Sequence, residues 1–129
     1  MSNSELSTTA LRFISQYIRS LEQLEVLVLL SGSPSKEWSV AEIYNSIRSS
    51  QASVAKQLAL LLEQGILEEK ERAGERMYRY CPKDEGIHLA IMETVREYQN
   101  RRIRVIEAIF QDDTGPIQGF ADAFKFRKS

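Results

Sequence analysis

Four side chains able to form hydrogen bonds lie within seven consecutive positions of the chain. They are Gln51, Ser53, Lys56 and Gln57. When a helix enters the major groove of DNA, amide, hydroxyl and ammonium groups on its outer face pair with base edges. Hydroxyls at the start of such a helix donate to a phosphate, and Ser49 and Ser50 directly precede this group. We therefore expect these six residues to form a surface that contacts DNA.

A second group of candidates consists of basic residues around a glycine turn. These are Lys70, Arg72, Arg76 and Arg79. Positive side chains on a hairpin reach the phosphates or the minor groove beside a recognition helix. Glutamates share the segment, and between residues 39 and 82 six Lys and Arg are matched by six Glu. Alternation along a strand can place the arginines and the glutamates on different faces, which would leave one face basic.

The inventory of reactive side chains disfavours catalysis and metal binding. The chain has one cysteine, Cys81, and one histidine, His88. They supply neither a nucleophile with a positioned base nor enough soft ligands for a structural zinc site. We expect no enzymatic activity, no cofactor and no bound metal. Cys81 is expected to be a small core residue rather than a redox switch, and His88 to be solvated or to cap a helix.

The spacing of apolar residues predicts four helices in the first half of the chain. They span residues 7–17, from 21 to the turn formers at 31–35, 40–48, and from 51 to Gly65. Two capping-box pairs, Ser20 with Gln23 and Ser39 with Glu42, indicate where the second and third helices begin. Ser50 offers an N-cap for the fourth helix, and Gly65 is a natural stop for its C-terminus.

The second half of the chain predicts a hairpin, a long helix and a tail. Two strand-like runs, residues 66–69 and 77–81, flank a turn at 72–75 that contains a glycine. Helical spacing of apolar residues then continues from 83 to 111, interrupted at Arg102, which predicts one helix about 40 Å long. The remaining residues, 112–129, form a turn and a tail that carries three phenylalanines among basic residues.

This order of elements predicts a mainly α protein with a small β-hairpin, a winged helix-turn-helix with an extra N-terminal helix and a long C-terminal helix. We divide the chain into an N-terminal helix (1–20), the winged helix-turn-helix (21–82), a dimerisation helix (83–111) and a tail (112–129). The first residues lack a basic segment followed by an apolar core, and no apolar run approaches the roughly 20 residues of a membrane span. We expect a cytoplasmic protein without membrane contact.

Specific residues carry a family resemblance. They are the run Ser53-Val54-Ala55-Lys56-Gln57-Leu58, then Leu61, Glu63, Gly65-Ile66-Leu67, Arg76, Tyr78, Tyr80 and Pro82. This pattern resembles the recognition helix and wing of MarR-like bacterial transcriptional regulators over about half of the chain. The resemblance implies a homodimer paired through its terminal helices, which presents two recognition helices to a pseudo-palindromic site in double-stranded DNA. It also implies an effector pocket between the dimer helices, for which the residues name no ligand.

An alternative function is a winged helix that binds another protein and not DNA. A net charge of −1 and a pI near 5.9 favour it, because Lys and Arg contacts to phosphate supply most non-specific DNA affinity. Leu60, expected close to the outward face of the fourth helix, favours it too. Two further alternatives stay open. In the first, the N-terminal helix and the tail cover the apolar stripe of the long helix within a monomer. In the second, the cluster of Arg101, Arg102 and Arg104 is a solvated face rather than a DNA contact.

Overall fold

The computed structural model describes residues 5–114, the last four of them as backbone only. Within that range the chain forms six α-helices and one antiparallel pair of strands. In chain order they are α1 (Thr8–Tyr17), α2 (Leu21–Ser31), α3 (Val40–Ile47), α4 (Gln51–Glu63), β1 (Leu67–Arg72), β2 (Glu75–Tyr80), α5 (Glu85–Asn100) and α6 (Arg102–Thr114). The predicted tail beyond residue 114 lies outside the described residues.

Serine caps fix the starts of three helices. The Ser7 hydroxyl accepts from the Ala10 N–H, and the Ser50 hydroxyl accepts from the Ser53 N–H, each at 3.1 Å. Ser39 and Glu42 form the predicted capping box, in which each side chain accepts from the other residue's backbone N–H. Each cap satisfies a donor that the first helical turn leaves open, which is why the predicted starts of α1, α3 and α4 are confirmed.

Three helices enclose a common apolar core in which α4 is central. Leu24, Leu27 and Leu30 of α2 are fully buried, as are Leu58 and Leu61 of α4. Burying one leucine side chain contributes roughly 1.5–3 kcal/mol, so this core dominates the stability of the three-helix arrangement. α4 contacts α2, α3 and β1, which fixes its inner face and leaves its outer face to solvent.

The hairpin closes through a two-residue turn and gains a third strand segment. Ala73 and Gly74 both have positive φ, 54° and 80°, the conformation of a type I′ turn. Pairing therefore continues up to Arg72 and Glu75, beyond the predicted strand ends. Trp38 adds an antiparallel bridge to Tyr78 through two backbone hydrogen bonds of 2.8 Å. Helices α2 to α4 with this wing form the predicted winged helix-turn-helix.

The prediction of one helix over residues 83–111 is wrong, because the structure contains two helices there. α5 ends at Asn100 and α6 begins at Arg102. Arg101 lies between them, donating its N–H to the Glu97 carbonyl while its own carbonyl accepts from the Val105 N–H. Residues 99–102 are all polar, so no buried side chain holds the helix straight across the break. The apolar spacing continues on both sides, which explains why it resembles one helix.

The chain divides into two compact units. One is Leu21–Leu89, which contains α2, α3, α4 and the wing; the boundary falls inside α5. The other consists, within the described range, of residues 5–20 with 90–114, where α1 packs on α6. Phe13 and Ile14 of α1 and Val105 and Ile109 of α6 are buried. None of the helices described is long and apolar enough to cross a membrane.

Candidate nucleic-acid interface

The outer face of α4 consists of small and polar side chains. Its exposed residues are Gln51, Ala52, Ala55, Lys56, Ala59 and, in the last turn, Glu63, and Ser53 at its edge is half-buried. Alanine lets a helix approach a surface closely, and its methyl group contacts the thymine methyl in the major groove. Gln51 and Lys56 supply the hydrogen-bond donors on this face. The three alanines were not among the expected site residues, although their spacing from Lys56 along the helix places them on the same face.

Two expectations about α4 are corrected by burial. Gln57 was expected to face DNA, but only 8% of it is exposed. It follows Val54 by three positions and precedes Leu61 by four, so it shares their buried face. Leu60 is half-buried rather than outward, which removes the apolar residue expected on the outer face.

The hydroxyls at the start of α4 are bound by a carboxylate from α2. Ser49 Oγ donates to Glu22 Oε2 at 2.6 Å, and Ser53 Oγ donates to Glu22 Oε1 at 2.5 Å. Ser50 is the N-cap, as expected. Arg48, at the preceding turn, has a left-handed backbone with φ 66° and donates through Nε to the Asn45 carbonyl at 3.3 Å. Glu22 was not among the expected site residues, and sequence spacing gives no signal for a contact across 27 or 31 positions.

The wing does not separate its arginines and glutamates onto different faces, as strand alternation could have done. Register fixes the faces, because directly paired residues share one. One face carries Glu68, Lys70, Arg72, Glu75, Met77 and Arg79; the other carries Leu67, Glu69, Glu71, Arg76, Tyr78 and Tyr80. Each face therefore contains both signs of charge. The two-residue turn sets this arrangement because it fixes the register of the strands. A shift of one residue would give every residue a different cross-strand partner.

All three wing arginines have carboxylate partners. Arg72 donates to both oxygens of Glu37, from Nε at 2.9 Å and from Nη2 at 2.8 Å. Arg76 lies 3.5 Å from Glu69, and Arg79 pairs with Glu68. Within the described residues, the exposed Lys70 and Lys56 make no ion pair. On α4 and the wing, the lysines are therefore the cations available without breaking an existing ion pair.

The Arg72–Glu37 pair perturbs both groups. The hydrogen bond from Arg72 is the largest cause and holds the pKa of the Glu37 carboxyl below its ordinary value; desolvation opposes it, and the nearby positive charges add smaller contributions in the same direction as the hydrogen bond. The same hydrogen bond raises the pKa of Arg72 above its ordinary value. Both charges therefore persist throughout the neutral range. Both groups are solvent-accessible, so the pair contributes orientation of the Arg72 side chain more than stability.

The base of the wing is tied to the start of α5. The hydroxyl of Tyr80 lies 2.9 Å from Nδ1 of His88, which is half-buried and therefore not wholly solvated. Trp38 is 8% exposed and belongs to the core at the base of the wing. Cys81 is exposed, not a core residue as expected, because it directly follows the last strand residue, Tyr80, whose side chain is buried. Among the residues described, no group of three or more His, Cys, Asp or Glu is arranged to hold a metal ion.

No family model matches the chain, and no curated protein matches its sequence. Among solved structures, one variant of ZitR from Lactococcus lactis superposes at TM-score 0.46 with 18% identity, covering 95% of this chain and 75% of that one. A second ZitR variant gives 16% identity at the same TM-score and coverage. The adhesin competence repressor AdcR from Streptococcus pyogenes superposes at 0.48 with 18% identity, covering 95% and 81%. At this identity and superposition, the likeness does not indicate what this chain binds.

Proposed function

We propose that this chain is a sequence-specific DNA-binding transcriptional regulator that acts as a dimer. The observation that carries the proposal is the outer face of α4, where Gln51 and Lys56 stand among three exposed alanines. Such a face enters a major groove closely and offers both an amide and a positive charge to base edges. Packing of α4 against α2, α3 and β1 holds that face rigidly, as base readout requires.

Support for a dimer comes from exposed apolar residues in the unit that contains α1 and α6. Ile103 is 66% exposed and Phe110 is 53% exposed. Their spacing of seven residues, two helical turns, places both on one face of α6. Leu11 of α1 is 45% exposed. Large apolar side chains on one helix face favour burial against a partner surface, and a second copy supplies that surface with two-fold symmetry.

Binding to random-sequence duplex DNA across a salt series, followed by fluorescence anisotropy, tests the proposal. Lys56 and Lys70 are available for phosphate, so we expect a modest salt slope, about two contacts for each protomer. Lys56→Ala should weaken binding and reduce the slope by about one contact. The Arg72→Ala/Arg76→Ala double variant should change the slope less, because both arginines already have carboxylate partners. Selection from a random pool should enrich a two-fold symmetric site.

Arg12→Ala is the matched control, because it removes one exposed cation from α1, outside the winged helix-turn-helix. It should leave the salt slope unchanged. Equal effects of Arg12→Ala and Lys56→Ala would contradict α4 as the reading element. If the wild-type protein does not bind duplex DNA at low salt, the proposal fails. In that case the second candidate function, a winged helix that binds another protein, is supported by the ion pairs of the wing arginines.

A further inference from the structure

Glu22 reaches from α2 to the start of α4 and binds the two hydroxyls that flank the N-cap there. Each of its carboxylate oxygens accepts one hydrogen bond, from Ser49 at 2.6 Å and from Ser53 at 2.5 Å. These are charge-assisted bonds, which are about twice as strong as bonds between neutral groups. The contact joins α2 to α4 across 27 and 31 sequence positions, so it forms only in the folded unit.

Binding to Glu22 removes these hydroxyls from the set of groups available to DNA. A serine hydroxyl has one proton to donate, and in both residues that proton is directed at Glu22. Ser50 accepts from the Ser53 N–H as the N-cap and keeps its own O–H proton, so of these three serines it is the one whose hydroxyl can still donate to a phosphate. The carboxylate also adds a negative charge beside the path of the DNA backbone, where it repels a phosphate.

The location of Glu22 makes the contact persistent. Glu22 lies in the first turn of α2, where the helix dipole favours a negative charge, and the hydroxyls lie at the positive end of α4. Its carboxylate therefore sits between two helix N-termini. A phosphate seeking the same hydroxyls must displace a charge that is already held by both helices.

We propose that Glu22 is an autoinhibitory residue that competes with DNA phosphate for the Ser49 and Ser53 hydroxyls and thereby lowers affinity for non-specific DNA. The inference rests on the proposed function, because it concerns the same surface of α4. The group that restrains binding to DNA is then a carboxylate of the same chain. The ion pairs of Arg72, Arg76 and Arg79 lie on the wing and act separately from it.

Glu22→Gln tests the inference, because glutamine keeps the shape of the side chain and one carbonyl acceptor but loses the charge. We expect roughly fivefold tighter binding to random-sequence duplex DNA at low salt, and a salt slope steeper by about one contact. Ser49→Ala/Ser53→Ala in the wild-type background should change affinity less than twofold. Combined with Glu22→Gln, the two alanines should remove the part of the gain that comes from the freed hydroxyls, while the part that comes from the lost charge remains.

Glu5→Gln is the matched control, since it removes one exposed carboxylate ahead of α1, outside the winged helix-turn-helix. Circular dichroism and thermal melting verify that each variant is folded. The inference is overturned if Glu22→Gln binds no more tightly than Glu5→Gln, or if the triple variant keeps the whole gain. When the wild type binds DNA, such a result leaves the proposed function intact. If the wild type does not bind at low salt, the proposed function is overturned, and if Glu22→Gln does not bind either, the inference is overturned with it.

Discussion

Tyr80 is a phenol held in a neutral state by its surroundings. It is 6% exposed, its hydroxyl lies 2.9 Å from His88 Nδ1, and burial raises its pKa to about 12, with a smaller contribution from the negative charge of Glu85. A pKa raised above the ordinary value of 10 means that the folded state favours the neutral phenol. The resulting stabilisation is complete below pH 10 and is lost as the pH rises through about 12.

Tyr80→Phe should therefore change the alkaline branch of the stability profile. The free energy of unfolding of the wild type should fall between pH 10 and about 12, and the variant should lose less over that interval. At neutral pH the variant should be less stable by about 0.5–1.5 kcal/mol, because the hydrogen bond to His88 is gone. Urea unfolding across the pH series, with phenolate absorbance, measures both effects. Parallel alkaline branches in the two proteins would contradict the burial of an un-ionised Tyr80.

Single residues show how far sequence reasoning extends. The buried position of Gln57 is predictable, since Val54, Gln57, Leu58 and Leu61 follow one helical stripe, but its polar side chain suggested the opposite face. The structure also pairs Gln23 with Gln64 through a 3.1 Å hydrogen bond between two amide groups. Contacts of this kind, like those of Glu22, depend on how helices cross. Local spacing does not contain that information.

Glu97 connects two helices at the end of α5. Its buried carboxylate accepts from the Ser7 N–H at 3.0 Å and from Arg101 Nη1 at 2.9 Å. The Ser7 hydroxyl in turn caps α1 by accepting from the Ala10 N–H. The same serine therefore starts α1 and attaches it to α5. Glu97 fixes one helix end relative to another within this unit.

Glu97→Ala should destabilise the protein by about 1–3 kcal/mol, because it leaves the Ser7 N–H without this partner and removes an ion pair from Arg101. Amide hydrogen exchange should become faster over the first turn of α1. Glu97→Gln, which keeps an acceptor, should retain part of the stability. Glu93→Ala, one turn earlier, removes only an i,i+3 ion pair to Arg96 and should cost less than about 0.5 kcal/mol. Equal losses at positions 93 and 97 would show that Glu97 does not hold α1.

Elements were predictable to different degrees. Caps at Ser39 and Ser50 and the stop at Gly65 are local signals, and the structure follows them. The hairpin was found from its glycine turn, but its length was underestimated because charged residues at 70, 71, 75 and 76 do not look like strand formers. The break at Arg101 was missed because apolar spacing resumes immediately after it. Polar runs of three or four residues inside a long helix pattern therefore indicate a boundary as well as a solvated face.

At the scale of the whole molecule, the proposed dimer predicts which side chains set its dissociation constant. A double variant, Ile103→Ser/Phe110→Ser, should weaken the dimer at least tenfold, since fully burying one large apolar side chain contributes about 1.5–3 kcal/mol. Sedimentation velocity over a concentration series measures the dissociation constant. Leu89→Ser is the control, because Leu89 is 58% exposed but belongs to the other unit. A wild-type protein that sediments as a monomer at tens of micromolar would contradict the proposal.

The ion-paired wing has a consequence for how quickly this protein meets a charged partner. Paired charges of opposite sign produce a field that decays within a few ångströms, so the arginines of the wing exert little attraction at a distance. Encounters should then occur at the rate of unsteered diffusional docking, about 10⁵–10⁶ M⁻¹s⁻¹, with little dependence on ionic strength. Discrimination between binding sites would reside in how long each complex lasts. A molecule built this way searches slowly but spends little time on incorrect sites.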